Sequence, residues 1–173
     1  MEQYSIDDDR SKLNSILSLH NVMGLATIGP DGPHVAPVFY VVANDGLELV
    51  FMSKASAQHS QHITANPKVS ACIFLDTSAV KLLHGIQITG SVDWPQRTEQ
   101  GVLRNIYYKT YPYARLAKFA SQDYQIYRLR IETAKLIDNQ LGFGKSFLWD
   151  FRPNLGACDS PVAAMNQQPV GPS

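Results

Sequence analysis

The sequence has little cysteine, no excess of either charge and no long apolar run. Two cysteines among 173 residues, Cys72 and Cys158, provide neither a disulfide framework nor a set of zinc ligands. Fifteen basic and fifteen acidic residues give a net charge of +0, so a broad basic surface for nucleic acid or anionic membrane is missing. The acidic start, MEQYSIDDDR, is followed by no apolar stretch long enough for a signal peptide or a membrane span. We therefore expect a cytoplasmic protein.

The first half of the chain has the pattern of one helix followed by a β-meander. Leu13, Ile16 and Leu17 recur at helical spacing behind a serine and three aspartates, which predicts a helix over residues 6–19. The runs VMGLATIG, PHVAPVFYVVA and LELVFMS are rich in β-formers. Because the turns PDG and NDG separate them, they predict three antiparallel strands.

The second half alternates between strands and short helices. A short helix is predicted over residues 57–65, because Asn66-Pro67 stops it. KVSACIFLD, HGIQITGSVDW and the long DYQIYRLRIETAKLID predict three further strands, and the segment after Pro95 predicts two helical pieces broken at Pro112. Six antiparallel strands with short helices indicate a mainly β (α+β) fold, a small and partly open barrel.

These elements divide the chain into three parts. An N-terminal helix within residues 1–20 is expected to pack on a barrel formed by residues 21–152. Residues 153–173 are rich in proline, alanine, glutamine and glycine without periodicity, which predicts a disordered tail.

The polar turn after the third strand has the composition of an anion site. Backbone N–H groups, the hydroxyls of Ser53 and Ser56 and the ammonium of Lys54 converge at a helix N-terminus. The alternative is that a serine only caps the helix while Lys54 stays solvated. His59 and His62 lie three residues apart and can share a helical face, but no third ligand is near in sequence, so no metal site is expected.

Two other strings have both a structural and a functional interpretation. LGFGKSFLW, residues 141–149, lacks the spacing of a P-loop. It is either a glycine turn ahead of a packed aromatic cluster or a ligand contact that presents the charge of Lys145 and the flat ring of Trp149. In GIQITG, Gln87 faces opposite to both neighbouring isoleucines, and whether it faces into or out of the barrel stays open.

Several of these strings also occur together in one known family. The pattern F-x-S-x-x-S-x-x-H over residues 51–59, Asn66-Pro67-Lys68-Val69 and a strand that ends at Gly90 resemble the FMN-binding split barrel of the pyridoxamine-phosphate-oxidase-like superfamily. VFYVV, GIQITG, YPYAR and LGFGKSFLW are similar to its YhbP-like bacterial group, and the likeness covers about residues 20–151. The resemblance implies a six-stranded antiparallel split β-barrel. It also implies a homodimer that holds two FMN molecules at the subunit interface.

The resemblance carries over to contacts with the flavin ring and its ribityl chain. Phe39 and Tyr40 are expected to lie along the flavin. Phe51, Met52 and Ser53 are expected to flank the ring and the ribityl chain.

Further contacts are implied with the phosphate and the ring edge. Lys54, Ser56 and His59 are expected at the phosphate, although members of the superfamily commonly have a lysine or arginine where this chain has Gln58-His59. The other three implied contacts involve the polar edge of the flavin and the partner chain. They are Gln87 at that edge, and Lys145 and Trp149 from the partner.

The function implied by the resemblance has two alternatives. The first is an FMN-dependent oxidoreductase that acts on a small molecule, in which the flavin carries the hydride chemistry. The second is a non-catalytic module that binds flavin or haem for storage, sensing or regulation. No catalytic residue is assigned, although Tyr40 and His59 are candidate proton donors. The arginine cluster that pyridoxamine phosphate oxidases use for substrate phosphate is not evident, so that reaction is not assigned.

Overall fold

Three α-helices and seven β-strands, with helical residues again at 114–116, make up the regular structure of the part of the chain that is described. The computed structural model describes residues 6–116, 123–141 and 146–152. The helices are α1 (Ile6–Leu17), α2 (Gln58–Ala65) and α3 (Arg97–Thr110). The strands are β1 (Val22–Gly29), β2 (Gly32–Ala43), β3 (Glu48–Lys54), β4 (Lys68–Phe74), β5 (His84–Asp93), β6 (Tyr124–Asp138) and β7 (Ser146–Asp150). Short 3-10 turns occupy Asn44–Gly46, Val80–Leu82 and Asn139–Leu141.

Six of the strands close into an antiparallel barrel. The order along the sheet is β3-β2-β1-β4-β5-β6-β7, and a further pairing of β3 with β6 closes the ring. This confirms the predicted antiparallel split barrel, with a difference in strand count. The seventh strand, β7, arises because β3 pairs only with Tyr124–Arg130 of the long strand β6, while β7 pairs with Thr133–Ile137 further along it. β7 lies within the LGFGKSFLW string, which we predicted as a segment after the final strand.

The barrel interior is filled by the alternate residues of each strand. In β1, Met23, Leu25 and Thr27 are buried while Val22 and Ile28 are exposed, as expected for a strand with one face inward. Helix α1 closes one opening, because Leu13 and Leu17 are fully buried in the same core. The observed α1 ends two residues before the predicted boundary at residue 19.

One part of the outer barrel surface is covered by helix α3. Leu103 and Tyr107 of this helix pack on outward-facing residues of three strands, Val41, Val50 and Ile126. Glu99 caps the helix through the backbone N–H of Gln96, and the helix ends at Thr110 ahead of Pro112.

The outer surface of β1, β4, β5 and of β2 up to Phe39 is not covered by any described helix, and Tyr111 contacts its edge at the Phe39 ring. We call this surface the open face. Register places its residues side by side, as in the pairs Ala26–Val35, Ala26–Ser70 and Cys72–Gln87. Its large apolar side chains, all exposed, are Val22, Ile28, Val35, Phe39 and Phe74. This is the kind of apolar patch that marks an interaction surface.

Two parts of the prediction fall beyond the described residues. The tail predicted over residues 153–173 lies outside them, and so does Lys145. In the described part of the chain, no helix is long and apolar enough to cross a membrane.

Candidate functional site

The candidate site is the turn between β3 and α2 together with the buried side of α2. Strand β3 ends at Lys54, and α2 begins at Gln58 and ends where Asn66 and Pro67 follow. The N-cap residue of α2 is Ala57, which has no side chain able to cap, so neither Ser53 nor Ser56 caps the helix. The hydroxyls of these two serines are engaged elsewhere, so the serine cap of the alternative is wrong, while its other part, an exposed Lys54, agrees with the structure.

Ser53 and His59 form a buried hydrogen-bonded pair. Ser53 Oγ and His59 Nε2 are 2.6 Å apart. Both side chains are buried, with His59 only 8% exposed. Ser53 faces inward because the strand alternates, and His59 lies in the first turn of α2 directly above it. The structure thus joins Ser53, which was predicted at the ring and the ribityl chain, to His59, which was predicted at the phosphate.

A second histidine extends this polar group across the end of the barrel. His62 Nδ1 lies 3.1 Å from Thr27 Oγ1, and its ring meets that of His34 edge-on at 5.7 Å between centroids. Gly29 makes room for the His62 ring, because a Cβ on this glycine would lie 2.1 Å from His62 Nε2. We call the whole group the histidine cluster: Ser53, His59, Thr27, His62 and His34.

The histidine cluster favours neutral imidazole at His59. Burial lowers the pKa of His59, and the nearby rings of His34 and His62 lower it further. The hydrogen-bond partners of His59 and His62 within the described structure are hydroxyls, which do not stabilise a charged ring as a carboxylate would. An incoming anion would supply that missing charge.

The two other residues of the predicted phosphate site lie on the outer side of the same turn. Lys54 is exposed, with its ammonium 5.6 Å from the centre of the Tyr124 ring. Ser56 donates from both its backbone N–H and its hydroxyl to the carboxylate of Asp123. The turn therefore already carries an anion that belongs to the chain itself.

Strand alternation separates the residues that were predicted to contact the ring. Phe39 and Gln87 lie on the open face, which answers the question of which way Gln87 faces. Tyr40 and Phe51 point into the core, where Phe51 stacks on Tyr127 at 5.1 Å. These two side chains are not on the surface that carries Phe39 and Gln87.

Tyr40 and Met52 are held by neighbouring elements of the same chain. The Tyr40 hydroxyl donates to the backbone oxygen of Leu17 at 2.7 Å. Burial, followed by the nearby Tyr111, raises the pKa of Tyr40. Met52 is half-buried at the edge of α3, where the hydroxyl of Tyr108 lies 4.0 Å from its sulfur.

The C-terminal residue Trp149 contacts its own barrel. It lies opposite Ala134 in the β6–β7 ladder and packs against the barrel core, partly buried. Phe147 and Leu148 on the same strand are exposed. The predicted companion of Trp149, Lys145, lies outside the described residues.

The sequence interpretation missed three residues that belong to this site. Thr27 and His34 come from the β1–β2 hairpin, where alternation alone indicates that they face inward with Leu25. The sequence analysis treats Asp123 only as the first residue of the last predicted strand. No local pattern indicates its contact with Ser56, 67 residues away. Among the described residues no group of three or more histidine, cysteine, aspartate or glutamate side chains is arranged to hold a metal ion.

A pocket on the open face is lined in part by Thr27 of the histidine cluster. It has a volume of about 420 Å³, and apolar and hydroxyl-bearing residues such as Ile28, Ser70 and Thr89 line it. Lys68 and Glu132 also line it and form an ion pair at 2.6 Å. The lining is thus close to neutral.

Comparison with known sequences identifies one family and a group of bacterial relatives. Residues 10–138 match the sequence profile described as pyridoxamine 5'-phosphate oxidase. A UPF0306 protein of Yersinia pseudotuberculosis is 25% identical over 142 residues, which cover 82% of this chain and 93% of that protein. The predicted membership of the pyridoxamine-phosphate-oxidase-like superfamily is thereby confirmed.

Solved structures with the same fold are described as binding different cofactors. A heme binding protein from Mycobacterium smegmatis superposes with a TM-score of 0.70 at 18% identity, covering 87% of this chain and 60% of that one. A FAD-binding protein from Mesorhizobium loti superposes with a TM-score of 0.58 at 17% identity, covering 71% of this chain and 87% of that one. At these identities the likeness shows the fold alone.

Proposed function

Since the chain belongs to the pyridoxamine 5'-phosphate oxidase family, we propose that it is a flavin-binding protein that holds FMN between two copies of itself. We further propose that it is an FMN-dependent oxidoreductase acting on a small molecule. The observation that carries the proposal is the set of phosphate-binding groups at the β3–α2 turn, on a barrel that also leaves an apolar sheet surface uncovered.

The donor groups at the turn fit a phosphate. The Ser53 hydroxyl, the His59 imidazole and the Lys54 ammonium are groups that bind phosphate oxygens, and they lie at the N-terminus of α2. The Ser60 hydroxyl in the same helical turn is buried and has no hydrogen-bond partner among the described residues. The Asp123 carboxylate on Ser56 opposes this fit on one side of the turn.

The open face suits the rest of the cofactor. Phe39 offers an apolar surface for the flavin ring, and Gln87 offers an amide for its polar edge. Bound FMN supplies hydride transfer, while the protein supplies binding, orientation and exclusion of water. The pocket beside Thr89 is a place for a small and nearly neutral substrate.

No side chain of the site is assigned as a proton donor. Tyr40 is buried, its hydroxyl is committed to Leu17, and its raised pKa makes it a weaker acid than an ordinary tyrosine. His59 is the remaining candidate, and in this structure its Nε2 is bonded to Ser53.

A second candidate function is haem binding without turnover. The observation that favours it is the gathering of three imidazole rings at one end of the barrel, since histidine is a common axial ligand of haem iron. The Mycobacterium smegmatis neighbour, described as a heme binding protein, supports this alternative by its fold.

The visible spectrum of the purified protein tests the proposal. Absorption typical of oxidised flavin, lost on anaerobic titration with NADH or NADPH, supports an oxidoreductase. A Soret band supports the haem alternative instead. Flavin that stays oxidised in the titration supports a binding module, and reconstitution with FMN or haem that yields no bound pigment contradicts both functions.

The phosphate assignment is tested by Lys54→Ala. Because only FMN presents the phosphate, this variant should lose about 1–3 kcal/mol of FMN binding and almost none of riboflavin binding. Lys81→Ala is the matched control, since Lys81 is exposed in the 3-10 turn Val80–Leu82, remote in sequence from the site. Equal losses for FMN and riboflavin in fluorescence titrations contradict the assignment.

The proposed FMN site between two copies of the chain, which we call the shared site, is tested by replacing an exposed valine with arginine on each of two surfaces. Val35 on the open face and Val102 on α3 are 64% and 61% exposed. Val35→Arg should raise the dimer dissociation constant at least about tenfold, because it brings an unpaired charge into the apolar interface. Val102→Arg should leave association unchanged. Sedimentation at low micromolar concentration measures both, and a wild-type monomer that binds FMN tightly contradicts the shared site.

A further inference from the structure

Asp123 is fixed next to the β3–α2 turn by the barrel itself. The last pair in the β3–β6 ladder is Lys54–Tyr124. One step beyond it, the backbone N–H of Ala55 donates to the backbone oxygen of Asp123 at 2.9 Å. The backbone of Asp123 is thus held by the closure of the barrel, so a change in the position of its carboxylate is a change of side-chain rotamer.

The Asp123 carboxylate takes the position that an anion would take at this turn. It accepts a hydrogen bond from the Ser56 hydroxyl and a longer one, 3.4 Å, from the Ser56 backbone N–H. Helix α2 begins immediately afterwards with Ala57 as its N-cap, which offers no side-chain oxygen. The carboxylate therefore supplies negative charge close to the positive end of the helix.

We propose that the Asp123 side chain is an internal competitor for the anionic group of the ligand, so that phosphate binding at this turn requires the carboxylate to leave Ser56. This inference rests on the proposed function. A phosphate dianion and a carboxylate cannot share one hydroxyl donor without strong repulsion, because two like charges within about 4–5 Å repel each other appreciably even near a protein surface. The competitor thereby weakens ligands that carry phosphate relative to ligands that lack it.

The site offers the displaced carboxylate an alternative partner. Lys54 pairs with Tyr124 in the β3–β6 ladder, and Asp123 directly precedes Tyr124 in the chain. The Lys54 side chain is exposed. When phosphate occupies Ser56, Lys54 is a cation within the same turn, where it can pair with either anion. The Ser53–His59 pair lies on the inner side of the turn, and its mutual hydrogen bond uses one of its two donors and leaves the other for the phosphate.

The experiment compares two ligands on matched charge variants. Asp123→Asn keeps the shape of the side chain and removes its charge. FMN should bind this variant about tenfold more tightly or better, while riboflavin binding should change by less than about twofold, since riboflavin has no phosphate to repel. Asp76→Asn is the control, because it changes net charge equally at an exposed residue beyond the end of β4.

Two further variants keep the test decisive. Asp123→Glu retains the charge and should retain weak FMN binding, which separates charge from side-chain identity. If Asp123→Asn does not fold, Ser56→Ala removes the hydroxyl that holds the carboxylate. The ratio of FMN to riboflavin affinity in Asp123→Glu and Ser56→Ala then decides the question. An unchanged ratio in Asp123→Glu with a raised one in Ser56→Ala supports the competitor, and an unchanged or lowered ratio in Ser56→Ala overturns it.

The failure of this inference is distinguishable from that of the proposed function. If the wild type binds FMN and Asp123→Asn shows the same ratio of FMN to riboflavin affinity, the competitor is overturned and flavin binding stands. A fall in FMN affinity in Asp123→Asn also overturns it, since Asp123 would then support the site. If neither protein binds FMN or riboflavin, both the inference and the proposed function are overturned.

Discussion

Two polar groups with buried members differ in how their charge is compensated. The first, which we call the arginine cluster, joins β6 to the end of β5, the start of α3 and β3. Its members are Arg128, Asp93, Glu99, Glu48 and Arg130. The second is the histidine cluster below α2, in which the two buried imidazoles are bonded to hydroxyls.

The arginine cluster is complete within the chain. Arg128, 6% exposed, makes a bidentate contact with Asp93 at 2.8 and 2.9 Å and a third contact with Glu99 at 3.1 Å. Burial alone would raise the pKa of Asp93, but hydrogen bonds and charge from Arg128 and Arg130 lower it. Because Glu99 also caps α3, the cluster fastens that helix to the barrel.

The histidine cluster lacks a compensating charge and is therefore suited to receive one. Burial lowers the pKa of His59, which favours its neutral form, and an anion beside His59 would favour protonation. The comparison teaches that the burial of a polar group does not identify a binding site. The informative difference is whether the chain itself already supplies the opposite charge.

The largest effect is expected from breaking the arginine cluster. Arg128→Met should lower the free energy of unfolding by about 3–5 kcal/mol, because it removes three charge-assisted hydrogen bonds of a buried guanidinium. Urea denaturation measures the change. Arg130→Met is the matched control: Arg130 is largely exposed, so its loss should cost less than about 1 kcal/mol. Equal losses in the two variants would contradict the structural role of Arg128.

A glycine in each region provides a second, smaller comparison. A Cβ on Gly90 would lie 2.1 Å from the backbone oxygen of Arg130, and a Cβ on Gly29 would lie 2.1 Å from the His62 ring. The carbonyl is fixed in the sheet, while the ring is the end of a side chain that can rotate. Gly90→Ala should therefore cost about 3 kcal/mol and Gly29→Ala about 1 kcal/mol.

Denaturant unfolding and NMR together test this pair of glycines. Besides the smaller stability loss, Gly29→Ala should shift the imidazole signals of His62, because the ring has to move away from Thr27. A Gly29→Ala variant that loses as much stability as Gly90→Ala would show that the histidine cluster is as rigid as the sheet.

The sequence predicted the barrel and the β3–α2 turn because both depend on local pattern. Period-two alternation and glycine turns identified the strands, and Asn66-Pro67 identified the end of α2. The resemblance placed both Phe39 and Tyr40 along the flavin, although alternation puts adjacent strand residues on opposite faces. Which of the two faces inward depends on the closed barrel. The contact of Asp123 with Ser56 and the strand β7 depend on the register of β6, which local sequence does not encode.

The smallest effect concerns the pH dependence of stability through His59. In the folded protein the pKa of His59 is lowered, whereas in the unfolded chain it should lie near the ordinary value of about 6.5. Above pH 6.5 both states are neutral at this residue and it contributes no pH dependence. As the pH falls below 6.5 the unfolded chain takes up a proton before the folded one does, so stability decreases until the lowered pKa is reached.

Ligand-free protein unfolded by urea at pH 7.5 and pH 5.5 measures this dependence. The contribution of His59 cannot exceed about 1.4 kcal/mol for the one pH unit below 6.5, so the difference between wild type and His59→Gln should stay within that limit. His84→Gln, at the opposite end of β5 from Pro67 and α2, is the control and should follow the wild type. If His59→Gln loses as much stability between the two pH values as the wild type, then His59 is not held neutral by its surroundings. In that case the contrast with the arginine cluster would no longer rest on an uncompensated histidine.

Repeating the measurement with 10-fold excess inorganic phosphate tests whether an anion supplies the missing charge. An anion that pairs with protonated His59 should reduce the loss of stability at pH 5.5 in the wild type and not in His59→Gln.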